Sequence, residues 1–175
     1  MRRYRYVGSK RILDELPRES RRVAVYSGED VMQWIRDSHQ TPEIDGGIVA
    51  TFVVDVDQRL WINDRRSEHV LCAAGRDVLS AGEMTFRVEG ALVQVSEVTN
   101  QSTGYCPEPE SWWAVDAALN AAHIAHPDDF TTAYVFRRCE ACGSTNIVKD
   151  NWFECDVCGA PLPPTWNYES VSSRG

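Results

Sequence analysis

The sequence predicts an α+β fold: an antiparallel central sheet of four to six strands, helices packed against it, and a C-terminal four-cysteine segment continuing from the last strand. Three observations lead there. Two stretches, 48–62 and 83–98, are β-branched or alternating runs interrupted by Asp-Gln and Glu-Gly turn signals. Two others, 28–38 and 111–125, place apolar residues at helical spacing behind a serine. The last is the cysteine spacing, Cys139-x2-Cys142-x12-Cys155-x2-Cys158.

Residues 9–16 read as a short helix stopped by Pro17, and 22–26 as a brief strand. Ser27 caps the helix that follows; its acids, Glu29 and Asp30, sit in the first turn, while Val31, Trp34 and Ile35 share a face. Residues 39–46 are a loop. Ile48 to Val56 and Leu60 to Ile62 form one hairpin, and Glu83 to Val88 with Ala91 to Val98 a second. The stretch between the hairpins, 65–75, is too mixed to assign. Residues 100–110 show no period, and Ser111 is expected to cap a helix running from Trp112 to about Ala125, with Val115, Ala118, Leu119 and Ala122 buried and Pro127 beyond its end. Thr131 to Arg138 reads as the strand that enters the first cysteine pair. The expected organisation is an α+β domain over 1–135, a metal-binding ribbon over 136–165 and a loose tail over 166–175.

Composition narrows the class. The 175 residues are 43% hydrophobic and 25% charged, the balance of a globular protein rather than a collagen, a disordered tail or a disulfide scaffold. No apolar run approaches the roughly 20 residues of a membrane span. The start, Met1 to Arg5, lacks the apolar stretch of a secretory signal, so the cytoplasm is the expected location. Charge is unevenly spread. Residues 1–22 hold eight Arg or Lys against three acids, and the formal net charge of −8 leaves −13 on the remainder. A basic arm can touch nucleic acid or an acidic partner, or lie on its own acidic body. Nucleic-acid binding by the whole chain is disfavoured, because the acidic remainder repels phosphates.

A Cys-x-x-Cys turn brings two thiolates to one side of a tight knuckle, and two such knuckles joined by a hairpin offer four sulfurs to a tetrahedral ion. Each knuckle continues as Cys-Gly, Gly143 and Gly159, where glycine permits a positive φ. Residues 145–149 and 152–154 supply two short strands between them. On these residues, 139–158 resembles the zinc-ribbon family. The resemblance implies Zn²⁺ held by Cys139, Cys142, Cys155 and Cys158, and four thiolates leave no open position, which makes the metal structural. Such ribbons staple a fold, contact protein or contact nucleic acid; Trp152 and Phe153 are candidate contacts. Paired reduced thiols fit a reducing compartment.

The stretch from His69 to Pro107 contains a histidine, Ala81-Gly82-Glu83, a hairpin, and the loop Asn100-Gln101-Ser102-Thr103-Gly104-Tyr105-Cys106-Pro107. It resembles a module of plant IQ-motif calmodulin-binding proteins and of bacterial toxin tail domains. In that module a histidine precedes an Ala-Gly-Glu turn, a hairpin and a Ser-Gly-His-Tyr-x-Pro loop. This chain inserts Thr103, lacks the loop histidine and has no IQ helix. The resemblance implies a shared fold more than an activity. Chemically, His69 and Glu83 are candidates for acid/base work, with Asn100, Ser102, Gly104 and Tyr105 positioning a ligand, or Cys106 is a nucleophile activated by His69. Alternatively the loop is a turn, Tyr105 fills the core and His69 binds a carbonyl.

Other residues invite less. Asp55, Asp57 and Asp64 are a metal cluster or solvated turn residues; His123 and His126 flank a helix end, where positive charge is favoured; His39 sits in a polar loop. Trp112 and Trp113 are adjacent on a helix, so one is a candidate interface residue. The expected function is a zinc-containing cytoplasmic protein-binding module, an adaptor, regulator or immunity-type partner. The alternatives are an enzyme or nucleotide-binding domain around His69, Glu83, Ser102 and Tyr105, and nucleic-acid binding through arm and ribbon.

Overall fold

The computed structural model describes residues 2–168. The chain runs α1 (Lys10–Asp14), β1 (Val23–Val25), α2 (Gly28–Asp37), β2 (Ile48–Asp55), β3 (Leu60–Asp64), α3 (His69–Cys72), β4 (Val78–Glu89), β5 (Leu92–Val98), a 3₁₀ turn (Pro109–Ser111), α4 (Trp112–Ala121), β6 (Val135–Arg138) and β7 (Thr145–Val148). The first five strands form an antiparallel sheet in the order β1-β3-β2-β4-β5, and β6 and β7 a separate antiparallel pair. The fold is α+β, as the patterning implies.

Both faces of the five-stranded sheet are covered. Ala50, Phe52 and Val54 of β2, with Leu60, Ile62, Met84 and Phe86, pack against Val31 and Trp34 of α2 and Val115, Ala118 and Leu119 of α4. Val53, Ala81 and Val78 belong to the second core, with Tyr4, Val70, Cys72 and Tyr105. Alternation along β2 therefore feeds two cores, which is why 48–55 is apolar nearly throughout.

Several local expectations are corrected by tertiary contacts. β4 begins at Val78, five residues before the expected strand, so Ala81-Gly82-Glu83 is not a turn. These residues pair with Val53, Phe52 and Thr51 of β2 in the middle of the sheet. The unassigned 65–75 contains α3. Ser111 does not cap α4; its backbone is already helical, and its hydroxyl lies 3.0 Å from that of Ser80 in the interior. α4 stops at Ala121 because His123 takes φ +54° and the Ala125 carbonyl accepts from Val95 N at 2.8 Å. Asp64 lies at the far end of β3 from the Asp55 turn, so the three aspartates are not a cluster. Asp55 instead accepts from Asp57 N, Arg59 N and Trp61 Nε1.

The basic arm lies on the body. Tyr4 exchanges backbone bonds with Val78 at 2.8 and 2.9 Å, Arg2 pairs with Glu110 at 3.5 Å, and Arg22 stacks 3.8 Å over the Trp61 ring. The C-terminal segment is also tied down over its first residues. Trp166 Nε1 donates to the Cys106 carbonyl at 2.7 Å, and Tyr168 packs with Cys106 and Phe136. Residues 166–168 of the expected tail are thus packed on the body, and the rest of that expected tail lies outside the described residues. The boundary at 135/136 falls inside β6, whose Phe136 and Arg137 are buried against the body.

Candidate functional site

The two cysteine knuckles are built alike. In the first, Cys139 N donates to Ser144 O at 2.8 Å and Gly143 N to Cys139 O at 2.8 Å; in the second, Cys155 N donates to Ala160 O at 2.8 Å and Gly159 N to Cys155 O at 2.9 Å. Gly143 and Gly159 take φ of +78° and +74°, the left-handed conformation each turn needs. The four Sγ atoms of Cys139, Cys142, Cys155 and Cys158 lie within 4.8 Å of one another, close enough to hold one metal ion. Across the knuckles, Cys139 and Cys158 are 3.6 Å apart, as are Cys142 and Cys155. The edge of a tetrahedron with roughly 2.3 Å metal–sulfur bonds is about 3.8 Å.

Donors surround these sulfurs. The Ser144 hydroxyl is 3.1 Å from Cys142 Sγ and 3.2 Å from Cys155 Sγ; Val157 N and Asn146 Nδ2 reach Cys155 at 3.4 and 3.5 Å. The Ser144 hydroxyl first, then the Cys158 and Val157 amides and Asn146, bring the Cys155 thiol down to about 5; Ser144 likewise lowers Cys142. At Cys142 and Cys155 such donors favour the thiolate that a metal requires and orient it. Asn146 also accepts from Asp156 N at 2.9 Å, bracing one knuckle against the other. Neither Ser144 nor Asn146 stands out in the sequence, since a polar residue between knuckles is ordinary.

The root of this hairpin enters the body through a buried ion pair. Arg137 Nη1 donates to Glu108 Oε1 at 2.7 Å and to Phe136 O at 2.7 Å, and Nη2 to Pro164 O at 3.0 Å. Sequence reasoning missed this pair. The available signal was a carboxylate between two prolines, Pro107 and Pro109, and an arginine inside an apolar strand.

The residues singled out between 69 and 107 do not share one site in their bonding. His69 Nε2 bonds Gly82 O at 3.0 Å, Tyr105 Oη donates to Arg76 O at 2.7 Å, and Cys106 Sγ to Thr103 O at 3.4 Å. Asn100 donates to Pro107 O and Tyr134 O, each at 2.8 Å, and accepts from Tyr134 N at 2.6 Å. Those bonds pin the loop to the segment that leads into β6 and the four-cysteine hairpin. Gly104 O accepts from Val7 N at 2.7 Å, and Ser102 Oγ is buried without a partner. No hydrogen bond joins Glu83, His69, Ser102 and Tyr105 to one another among the described residues.

Burial pushes the Cys106 thiol up to about 12 and Tyr105 up as well, which disarms both. The nucleophile reading of Cys106 also has no hydrogen bond to His69 to stand on, since His69 Nε2 bonds the Gly82 carbonyl and Cys106 Sγ the Thr103 carbonyl. Desolvation of the His69 ring holds its pKa down to about 4 from 6.5, outweighing the Gly82 bond, which acts to raise it.

That shift has a pH signature. A base whose folded pKa is depressed stays neutral in the fold but takes up a proton when unfolded, so stability is full above about 6.5 and falls as pH drops toward about 4. The loss is on the order of 3 kcal/mol at most. Urea midpoints at pH 7.5 and 4.5 are expected to diverge more for the native chain than for His69→Gln, which retains an N–H for Gly82. Equal divergence in the two chains contradicts the assignment.

The class these features define is an α+β sheet protein with a C-terminal four-cysteine cluster able to hold a metal ion, joined to the body by a buried ion pair. Comparison with protein-family models, curated proteins and solved structures gives no match.

Proposed function

We propose that the chain is a protein-binding module, an adaptor, regulator or immunity-type partner, whose C-terminal hairpin is a zinc ribbon with a structural ion. The observation that carries this reading is the convergence of four sulfurs within 4.8 Å of one another in a hairpin that leaves Trp152 64% exposed. A sulfur-only set of this geometry suits Zn²⁺, and Cys139, Cys142, Cys155 and Cys158 would hold it with no position left for water. The metal supplies rigidity there. An exposed indole on a rigid hairpin is the kind of side chain that anchors protein interfaces. The reduced thiols fit the cytoplasm. Acid/base chemistry at His69 and Glu83 has less support, because the polar groups around them are bonded separately.

Metal analysis of the purified chain is expected to find one zinc per chain, lost in Cys155→Ser. Trp152→Ala should keep the zinc and the melting temperature while losing the partner that the native chain captures from source lysate. A chain without stoichiometric zinc removes the metal assignment. Equal capture by both chains removes Trp152 from the interface.

A further inference from the structure

The six cysteines divide by environment. Cys72 and Cys106 are buried in the body, each with its sulfur on a main-chain carbonyl, Trp61 O at 3.5 Å and Thr103 O at 3.4 Å. In the four-cysteine hairpin, Cys142 and Cys158 are exposed while Cys139 and Cys155 are buried. The close contacts run across the knuckles. Exposed Cys142 lies 3.6 Å from buried Cys155, and exposed Cys158 lies 3.6 Å from buried Cys139. Each of these pairs therefore holds one sulfur open to solvent and one sheltered behind it.

An accessible thiol with a second thiol at its back is the arrangement that converts an oxidant's attack into a disulfide. Sulfurs 3.6 Å apart are already in contact, so joining them needs no unfolding of the hairpin. Ser144 reinforces one pair, its hydroxyl lying 3.1 Å from Cys142 Sγ and 3.2 Å from Cys155 Sγ. Val157 N and Asn146 Nδ2 also reach Cys155, at 3.4 and 3.5 Å, which anchors the sheltered partner in place. The body thiols have neither access nor a second sulfur in bonding contact; both are fully buried.

We infer that the cysteine hairpin is a peroxide-responsive modification site, in which oxidation joins Cys142 to Cys155 and Cys139 to Cys158 across the knuckles and so gives up the metal. The loss of metal rests on the zinc reading; the pairing rests on the sulfur geometry alone. In the first step the Cys142 thiolate attacks one oxygen of hydrogen peroxide. The O–O bond breaks, leaving a sulfenic acid on Cys142 and releasing hydroxide. The Cys155 thiolate then attacks the Cys142 sulfur, the S–O bond breaks, and a second hydroxide leaves as the disulfide forms. Two sulfurs have together lost two electrons, peroxide has gained them, and solvent protons turn both hydroxides into water. A second peroxide closes Cys158 on Cys139 in the same way. Each bond consumes two of the four ligands, and the thiolates left cannot enclose a tetrahedral ion. The knuckles stay joined, by sulfur in place of metal.

The test exposes the purified full chain to hydrogen peroxide, follows zinc release with a chromogenic chelator, and maps disulfides by mass spectrometry of unreduced peptides. One zinc is expected to leave per chain, in step with the Cys142–Cys155 and Cys139–Cys158 bonds. Cys72 and Cys106 should be modified at least tenfold more slowly, which serves as the control within the same molecule. Four thiols that survive as long as Cys72 and Cys106 overturn the inference, as do bonds formed within a knuckle, Cys139–Cys142 or Cys155–Cys158, or between chains. A chain purified without zinc that still forms the two crossed bonds removes the metal reading and upholds the pairing. A zinc-loaded chain that keeps its ion and its thiols under peroxide removes the inference and leaves the metal reading standing.

Discussion

Gly82→Ala is expected to prevent folding, or to lower stability by at least about 3 kcal/mol, out of the 5–15 kcal/mol typical of a domain. The reason is a backbone crossing. On leaving β5, the chain passes directly over β4, and a Cβ on Gly82 would be driven into the Thr99 carbonyl, with the carbonyl carbon at 2.8 Å and Asn100 Cα at 3.0 Å. No side-chain rotation relieves a clash with main chain. The neighbouring geometry resists a shift as well, because Thr99 N donates to Glu83 O at 2.9 Å and Asn100 is held by three bonds. Gly28→Ala is the control: there a Cβ would meet only the Val93 side chain, at 3.1 Å. Urea unfolding of both variants decides the matter, and a Gly82→Ala chain with the native midpoint would show that the crossing can open without penalty.

Glu108→Ala is expected to destabilise by about 3–5 kcal/mol, since it leaves the Arg137 guanidinium buried without its counter-charge. The Arg137 side chain is 6% exposed, its Nε lacks a partner, and its other bonds go to the neutral carbonyls of Phe136 and Pro164. Removing both charges in Glu108→Ala/Arg137→Met should recover much of the loss, because the cost lies in the orphaned ion more than in the pair itself. The two single variants and the double variant form a cycle whose coupling is read from denaturation midpoints. Hydrogen exchange in β6 should accelerate in Glu108→Ala, as the hairpin root detaches from the body. A loss under about 1 kcal/mol would mean that the charge reaches water and that apolar packing of Phe136 alone holds the four-cysteine hairpin.

These two sites show how far patterning reaches. The helix over 28–37, the hairpin from Ile48 to Asp64 and the apolar stripe Val115-Ala118-Leu119 are local: each follows from spacing, a cap or a turn within about a dozen residues. The four cysteines that could hold a metal ion are likewise legible, because a Cys-x-x-Cys knuckle is complete within five residues. By contrast, Ala81-Gly82-Glu83 contains a small residue, a glycine and an acid, which locally reads as a turn. Only the approach of residues 99–100 and the pairing with β2 explain why that glycine sits inside a strand. Tyr105, Asn100 and His69 have side chains capable of chemistry, and sequence offers no means of telling a bonded core residue from a site residue.

Spacing and composition carry the α+β class, the principal helices and hairpins, the acidic body with its basic arm, and the four sulfurs that can share a metal. Each depends on residues close together in the chain or on composition. Only long-range packing brings Arg2 to Glu110, sets Glu108 against Arg137 across 29 positions, and commits His69 to the Gly82 carbonyl. Those outcomes depend on which distant groups lose water together, and the energy of a buried charge or a crossing backbone is set by its neighbours in space.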